Sequence, residues 1–167
     1  MKINEIIGDA KTIGIAGHIR PDGDCVGSCM ALYNYLAKNR EDLDVHVYLE
    51  SVDNKFSIIK NADCIDTHGY DGTVFDLFIS LDTASLDRLG QNLPFFTNAK
   101  RTACVDHHKS NSGYADYNYI LPDASSASEV LYDLLEDDII DKSVAEPLYM
   151  GIAHDSGVFR FQSTSPK

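Results

Sequence analysis

Within seven residues, His18 to Asp24, the chain sets one imidazole and two carboxylates, in the run Gly17-His18-Ile19-Arg20-Pro21-Asp22-Gly23-Asp24-Cys25-Val26-Gly27-Ser28. Pro21 and Gly23 favour a turn that folds the loop back on itself. His18, Asp22 and Asp24 can then converge on one ion, or the two aspartates can diverge to serve two neighbouring ions. Three further polar clusters follow: Asp82 after an apolar run, the tripeptide Asp106-His107-His108, and Asp155 within Gly151-Ile152-Ala153-His154-Asp155-Ser156-Gly157. Together they offer His18, Asp22, Asp24, Asp82, His107 and Asp155 as ligands, with Asp106 placed to orient an imidazole from behind. Four aspartates balance two divalent ions, and two ions about 3.5–4 Å apart are a device for in-line displacement at phosphorus. A mixed imidazole–carboxylate set suits manganese better than calcium or magnesium, although availability can override that preference. Zinc is less suited, because no thiolate is evidently recruited.

Each cluster also has a plainer reading. Asp24 can cap a helix by accepting its first free N–H groups, and Asp82 can do the same for the segment after it. Asp106-His107-His108 can be a solvated polar turn. Other chemistries fit less well. A calcium loop fails because the twelfth position counted from Asp22 is Tyr33, not Glu. No Gly-Lys-Ser/Thr phosphate loop and no Gly-x-Ser-x-Gly signature occurs. Cys104 falls in a strand-like run and is a poor nucleophile if buried.

The elements that must carry these residues are legible from periodicity. Thr12-Ile13-Gly14-Ile15-Ala16 reads as a buried strand, and Val26, Met30, Tyr33, Leu36 and Ala37 give residues 25–39 one helical face. Residues 44–49 alternate as a second strand, so strand–helix–strand should pair in parallel. Residues 76–82 and 100–105 are two more strands, the first ending on Asp82 and the second running into Asp106. Ligands in open α/β sheets gather at such carboxyl ends. Weaker expectations are a leading helix over 3–10, a short helix over 54–61, a strand trace at 64–65, an edge strand or extended loop over 114–121, and a short strand at 158–161. Ser126-Ala127-Ser128-Glu129 has capping-box form and opens a helix to about residue 138. A last helix over 143–153 carries Pro147, expected in its first turn.

The 167 residues suit one domain, and 44% hydrophobic residues with seven Phe and nine Tyr can fill a core. A net charge of −12 argues against a grip on long nucleic acid, though not against a small phosphorylated substrate beside bound cations. No apolar run reaches membrane-span length, and residues 1–7 lack a secretory core. The four cysteines form no Cys-x-x-Cys pair and read as buried thiols of a reducing cytoplasm. His46 and His68 are isolated and take no role.

Taken in order, His18-x-x-x-Asp22-x-Asp24 with Gly27-Ser28, Asp82, Asp106-His107-His108 and Asp155 resemble the four motifs of the DHH phosphoesterase superfamily. Leu81-Asp82-Thr83-Ala84, Asp106-His107-His108-Lys109-Ser110-Asn111 and residues 125–129 strengthen the likeness to its nanoRNase (oligoribonuclease) and phosphoadenosine-phosphate (pAp) phosphatase branch, over residues 11–167. The resemblance implies an α/β fold, a predominantly parallel sheet of about five strands flanked by helices in the order 2-1-3-4-5. It implies that His18 and Asp22 hold one ion, Asp24 and His107 the other, and that Asp82 and Asp155 bind or bridge both. Catalytic roles fall to His108, Asp106 and Asp82. His108 would touch the substrate phosphate, with Ser28 and its helix start assisting through backbone donors. The implied enzyme is a manganese-dependent phosphohydrolase (magnesium admitted), cytoplasmic, acting on short oligonucleotides or pAp-like nucleotides, with a homodimer allowed and neither long nucleic acid nor membrane as partner. Members of this branch continue into a smaller substrate-binding domain, so residues 1–167 are expected to be the catalytic domain alone. Cyclic-dinucleotide phosphodiesterase and pyrophosphatase share this metal site, single-strand exonuclease is a rival against which the acidic balance counts, and a metal- or nucleotide-binding module with little turnover is the rival of another class.

Overall fold

Ile13 and Ile15 face one side of strand β1 (Thr12–Ala16), and Ala16 joins a separate apolar cluster on the other. Gly14 keeps that second side low: a Cβ there would lie 2.3 Å from the Phe78 ring. β1 therefore accepts cover on both faces, the condition for a central parallel strand. In the computed structural model, which describes residues 1–161 and 164, β1 pairs with β2 (Asp44–Tyr48) on one side and β4 (Leu77–Leu81) on the other. A two-residue β3 (Ile65–Asp66) extends the sheet beyond β2; β5 (Thr102–Asp106) and β6 (Tyr117–Ile120) extend it beyond β4. All five pairings are parallel, in the order β3-β2-β1-β4-β5-β6.

That order corrects the expected five strands at one edge. The trace at 64–65 becomes a sixth strand, and the remaining five keep their sequence of neighbours. Their carboxyl ends share one edge of the sheet, and the chain reverses its direction of travel between β1 and β4, where a crevice opens in folds of this kind.

Helices α1 (Ile3–Ile7), α2 (Gly23–Asn39), α4 (Ala127–Leu134) and α5 (Lys142–Asp155) contribute to the larger core, which takes Ile13, Ile15, Leu77, Ile79 and Val105 from the sheet. Helix α3 (Leu93–Asn98) covers the opposite face with Phe95 and Phe96, against Tyr48, Phe75 and Phe78. Each fully buried aromatic or aliphatic side chain contributes about 1.5–3 kcal/mol, so both layers hold the strand ends firmly. α2 and α5 meet closely because Gly27 lies against Pro147: a Cβ at Gly27 would stand 2.5 Å from the Pro147 carbonyl oxygen.

Several local expectations change. Residues 54–61 give only a 3-10 turn, Asn54–Ile58. α4 stops at Leu134, with Leu135 extended, because Glu136, Asp137 and Asp138 would place negative charge at a helix carboxyl end. Pro147 falls in the second turn of α5 rather than the first. Residues 158–161 are a turn, not a strand: Val158 and Phe159 have φ of +57° and +61°, and Arg160 and Phe161 donate back to the Ser156 carbonyl. The cysteines carry no disulfide; Cys25, Cys29 and Cys104 are buried, whereas Cys64 is exposed in a 3-10 turn. Among the described residues, no helix is long and apolar enough to cross a membrane.

Candidate metal centre

His18 follows β1 directly, and its ring is fixed at one nitrogen: Nδ1 lies 2.7 Å from the Ile19 carbonyl. The carbonyl accepts a hydrogen bond from Nδ1–H, so Nε2 is the atom left for a ligand, 3.8 Å from Asp22 and 3.5 Å from Asp82. His107, just after β5, is set the same way. Its Nδ1 faces the Ala124 carbonyl at 3.4 Å, and Nε2 stands 4.0, 3.6 and 3.4 Å from Asp24, Asp82 and Asp155. Asp82 is therefore the middle carboxylate, with one oxygen toward His18 and the other toward His107. Its backbone is left-handed, φ +52°, a conformation that costs an L-residue about 1–2 kcal/mol. It caps no helix; the turn beginning at Leu86 has Ser85 at its start and no side-chain cap.

The aspartates of the first loop do have capping duties, but not as the sequence suggests. Asp22 caps α2, accepting from the Asp24 and Cys25 amides at 3.0 and 3.1 Å through Oδ1, while Oδ2 turns to His18. Asp24 caps a different helix. Its carboxylate accepts from the amides of Ala127 and Ser128, at 2.6 and 2.9 Å, at the start of α4. The capping box beside them is displaced by one residue: Ser126 accepts from the Glu129 amide, but the Glu129 carboxylate reaches Ser125. Asp155 arrives on the last turn of α5.

Asp106 is wholly buried and orients His108. One oxygen faces His108 Nδ1 at 2.7 Å; the other accepts from Asn111 Nδ2 at 2.7 Å. His108 Nε2 is left for whatever enters the partly open site. Ser28 is fully buried, and its hydroxyl donates to the Asp24 and Cys25 carbonyls of its own helix. Three participants carry no role in the sequence reading. Asn111 locks Asp106, His154 joins Asp22 and Asp155 in a group with donor atoms within 4.8 Å, and Cys25 Sγ lies within the same distance of donor atoms of His18 and Asp82. The helix position of Cys25 signals burial, and nothing in its spacing signals proximity to His18.

The family model for the DHH family, N-terminal domain, matches residues 12–152. This chain belongs to the DHH family. Among curated DHH relatives, it is 28% identical over 161 residues to the bifunctional oligoribonuclease and PAP phosphatase NrnA of Bacillus subtilis (strain 168), covering 93% of this chain and 50% of the relative. It is 31% identical over 160 residues to the probable bifunctional oligoribonuclease and PAP phosphatase NrnA of Streptococcus mutans, covering 93% and 49%. The chain thus spans about half the length of the curated relatives it matches. The fold is also that of an exopolyphosphatase-related protein from Bacteroides fragilis, with a TM-score of 0.83 at 22% identity, covering 98% of this chain and 52% of that one.

The electrostatics of this DHH site suit a cation. Asp82 Oδ1 and His107 Nε2 are buried without a hydrogen-bond partner, and the 3.6 Å between them is too long for such a bond. A cation ligated by both would satisfy two groups that are otherwise expensive to bury. Burial alone would discharge His18 and His107, yet the carboxylates beside them, Asp22 and Asp82 for the first and Asp155 and Asp82 for the second, outweigh it and push both up to about 11. Burial likewise opposes charge on Asp82, but His107 and His18 hold it well below the usual carboxylate range. Asp24 moves the other way, up to about 8, through burial and then the neighbouring charge of Asp82. A cation there would replace the imidazole protons that these raised values favour.

Proposed function

We propose that this chain is the catalytic domain of a two-metal phosphohydrolase that cleaves short oligoribonucleotides and pAp-like nucleotides, with manganese as the preferred ion. The observation that carries the reading is Asp82, strained and buried between two imidazoles whose Nε2 atoms are both turned toward it. His18 and Asp22 would hold one ion, Asp24 and His107 the other, and Asp82 and Asp155 would serve both. Bound ions supply Lewis acidity toward a phosphoryl oxygen and lower the pKa of a water. His108 does the rest from the protein side. The hydrogen bond that His108 Nδ1 donates to Asp106 raises its pKa and fixes the ring, so Nε2 donates to a phosphate oxygen as charge gathers there. Asp106 and Asn111 position that ring. The names of the curated relatives support the substrate class.

The test is hydrolysis of pAp and of RNA dinucleotides by metal-stripped protein to which manganese or magnesium is returned, with pyrophosphate and a cyclic dinucleotide alongside. Turnover of the first pair that needs the ion and disappears in His107→Ala is the expected result. Turnover confined to pyrophosphate or the cyclic dinucleotide, or none with any ion, would overturn the reading.

A further inference from the structure

Arg20 stands between the ligands His18 and Asp22 and has a left-handed backbone, φ +54°, rare for a long side chain without a turn-forming group. It is exposed, and its guanidinium has neither ion pair nor hydrogen bond among the described residues, in a chain of net charge −12. The loop is held in place from behind: the Ile19 amide donates to the Arg88 carbonyl at 2.7 Å. Strain that the surroundings enforce, at a residue with no internal partner, points to a role for the side chain outside the fold.

Arg20 and Pro21 form one wall of a cavity of about 340 Å³ whose other walls are Glu50, Ser51, Asp53 and Lys55. These follow β2, the sheet neighbour of β1, so the cavity lies beside the metal centre along the same edge. Arg20 and Pro21 lie in the same loop as His18 and Asp22, so the cavity adjoins the residues that would hold the ions. Its two acids already have partners. Glu50 accepts from the Gln91 amide at 3.4 Å, and Asp53 accepts from the Lys55 amide at 3.0 Å with its other oxygen 3.4 Å from Lys55 Nζ. Asp53 and Lys55 thus neutralise each other, and Arg20 is the lining cation without an ion pair among the described residues.

We propose that this cavity is a second phosphate site, in which Arg20, assisted by Lys55, holds the far phosphate of a substrate whose other phosphate lies at the metal centre. This rests on the phosphohydrolase reading above. A guanidinium offers paired donors matched to phosphate oxygens, and Lys55, in a surface pair with Asp53, can exchange that partner for a phosphate oxygen. Ser51, on the same wall, offers a hydroxyl to the one free sugar hydroxyl, the 2′-OH.

The experiment measures binding of pAp and of adenosine 3′-monophosphate to the metal-loaded chain by calorimetry, with hydrolysis of both followed separately. The intact chain should bind pAp about tenfold more tightly than the monophosphate, one charge-assisted pair's worth. Arg20→Ala should erase that preference while leaving monophosphate binding unchanged; Arg20→Lys should restore part, and Lys55→Ala should remove less. Arg20→Gly should lose the preference yet raise Tm by about 2–4 °C, because glycine relieves the strain. A pAp preference that survives Arg20→Ala, or an Arg20→Gly chain that loses stability with affinity, would overturn the proposal. Absence of hydrolysis with the preference intact and Arg20-dependent would sink the phosphohydrolase reading and leave the phosphate site standing.

Discussion

At the scale of single residues, the centre is a set of carboxylates shared between two imidazoles, and its behaviour should follow from who holds the protons. His18 and His107 have folded-state values near 11 against about 6.5 for a free side chain. A raised basic group stabilises fully below its unfolded pKa and loses that contribution as pH climbs to the folded one. The metal-free chain should therefore show a falling Tm between pH 6.5 and about 11. Manganese should flatten that slope and release protons on binding, readable as buffer-dependent heat in calorimetry. Asp82→Ala should weaken both ion sites, whereas Asp22→Ala should weaken one; equal loss in the two variants would contradict a shared Asp82. Asn111→Ala removes a 2.7 Å bond from buried Asp106, and should lower stability by about 1–3 kcal/mol and turnover with it, through a His108 ring no longer held. The six residues stood out as ligand candidates because polar clusters follow β1, β4 and β5 directly and a fourth closes α5, and the structure brings their side chains together. Asn111 and Cys25 did not stand out, since an amide in a loop and a thiol on a helix face announce only themselves.

At the scale of elements, the strands that carry the site were the easiest part of the chain to read. β1, β4 and β5 are short, branched and apolar on both sides, as doubly covered parallel strands must be. What periodicity misses is where backbone satisfaction comes from another segment. α4 ends early because acidic residues oppose its dipole, and residues 158–161 fold back onto Ser156 instead of pairing. The seam that brings Asp155 to the site is also invisible in sequence, being built from absent side chains. A Cβ at Gly151 would stand 2.0 Å from Ser128 Oγ and 2.6 Å from Asp24 Oδ1. Gly151→Ala should accordingly lower stability by about 1–3 kcal/mol and, by tilting α5, weaken ion binding as well. Ser128→Gly in the same chain should recover part of both losses. Unfolding curves and manganese titrations that leave Gly151→Ala unchanged would show that the helices have more room than these distances allow.

At the scale of the whole molecule, a net charge of −12 would face the anionic substrate of the proposed function. Long-range repulsion is screened by salt, so kcat/KM for pAp should rise with ionic strength up to about 0.15 M, where a basic nucleic-acid groove would show a fall. The capping of α4 by Asp24 has a further consequence, since it wires the centre to backbone more than a hundred residues along the chain. The amide protons of Ala127 and Ser128 sit directly on that carboxylate, so their NMR frequencies are a gauge of its charge. Adding a diamagnetic ion such as magnesium should shift these two resonances ahead of the rest of α4, and their exchange with deuterated solvent should slow. The molecule would then report the filling of its own site through two peptide groups that carry no side-chain chemistry at all.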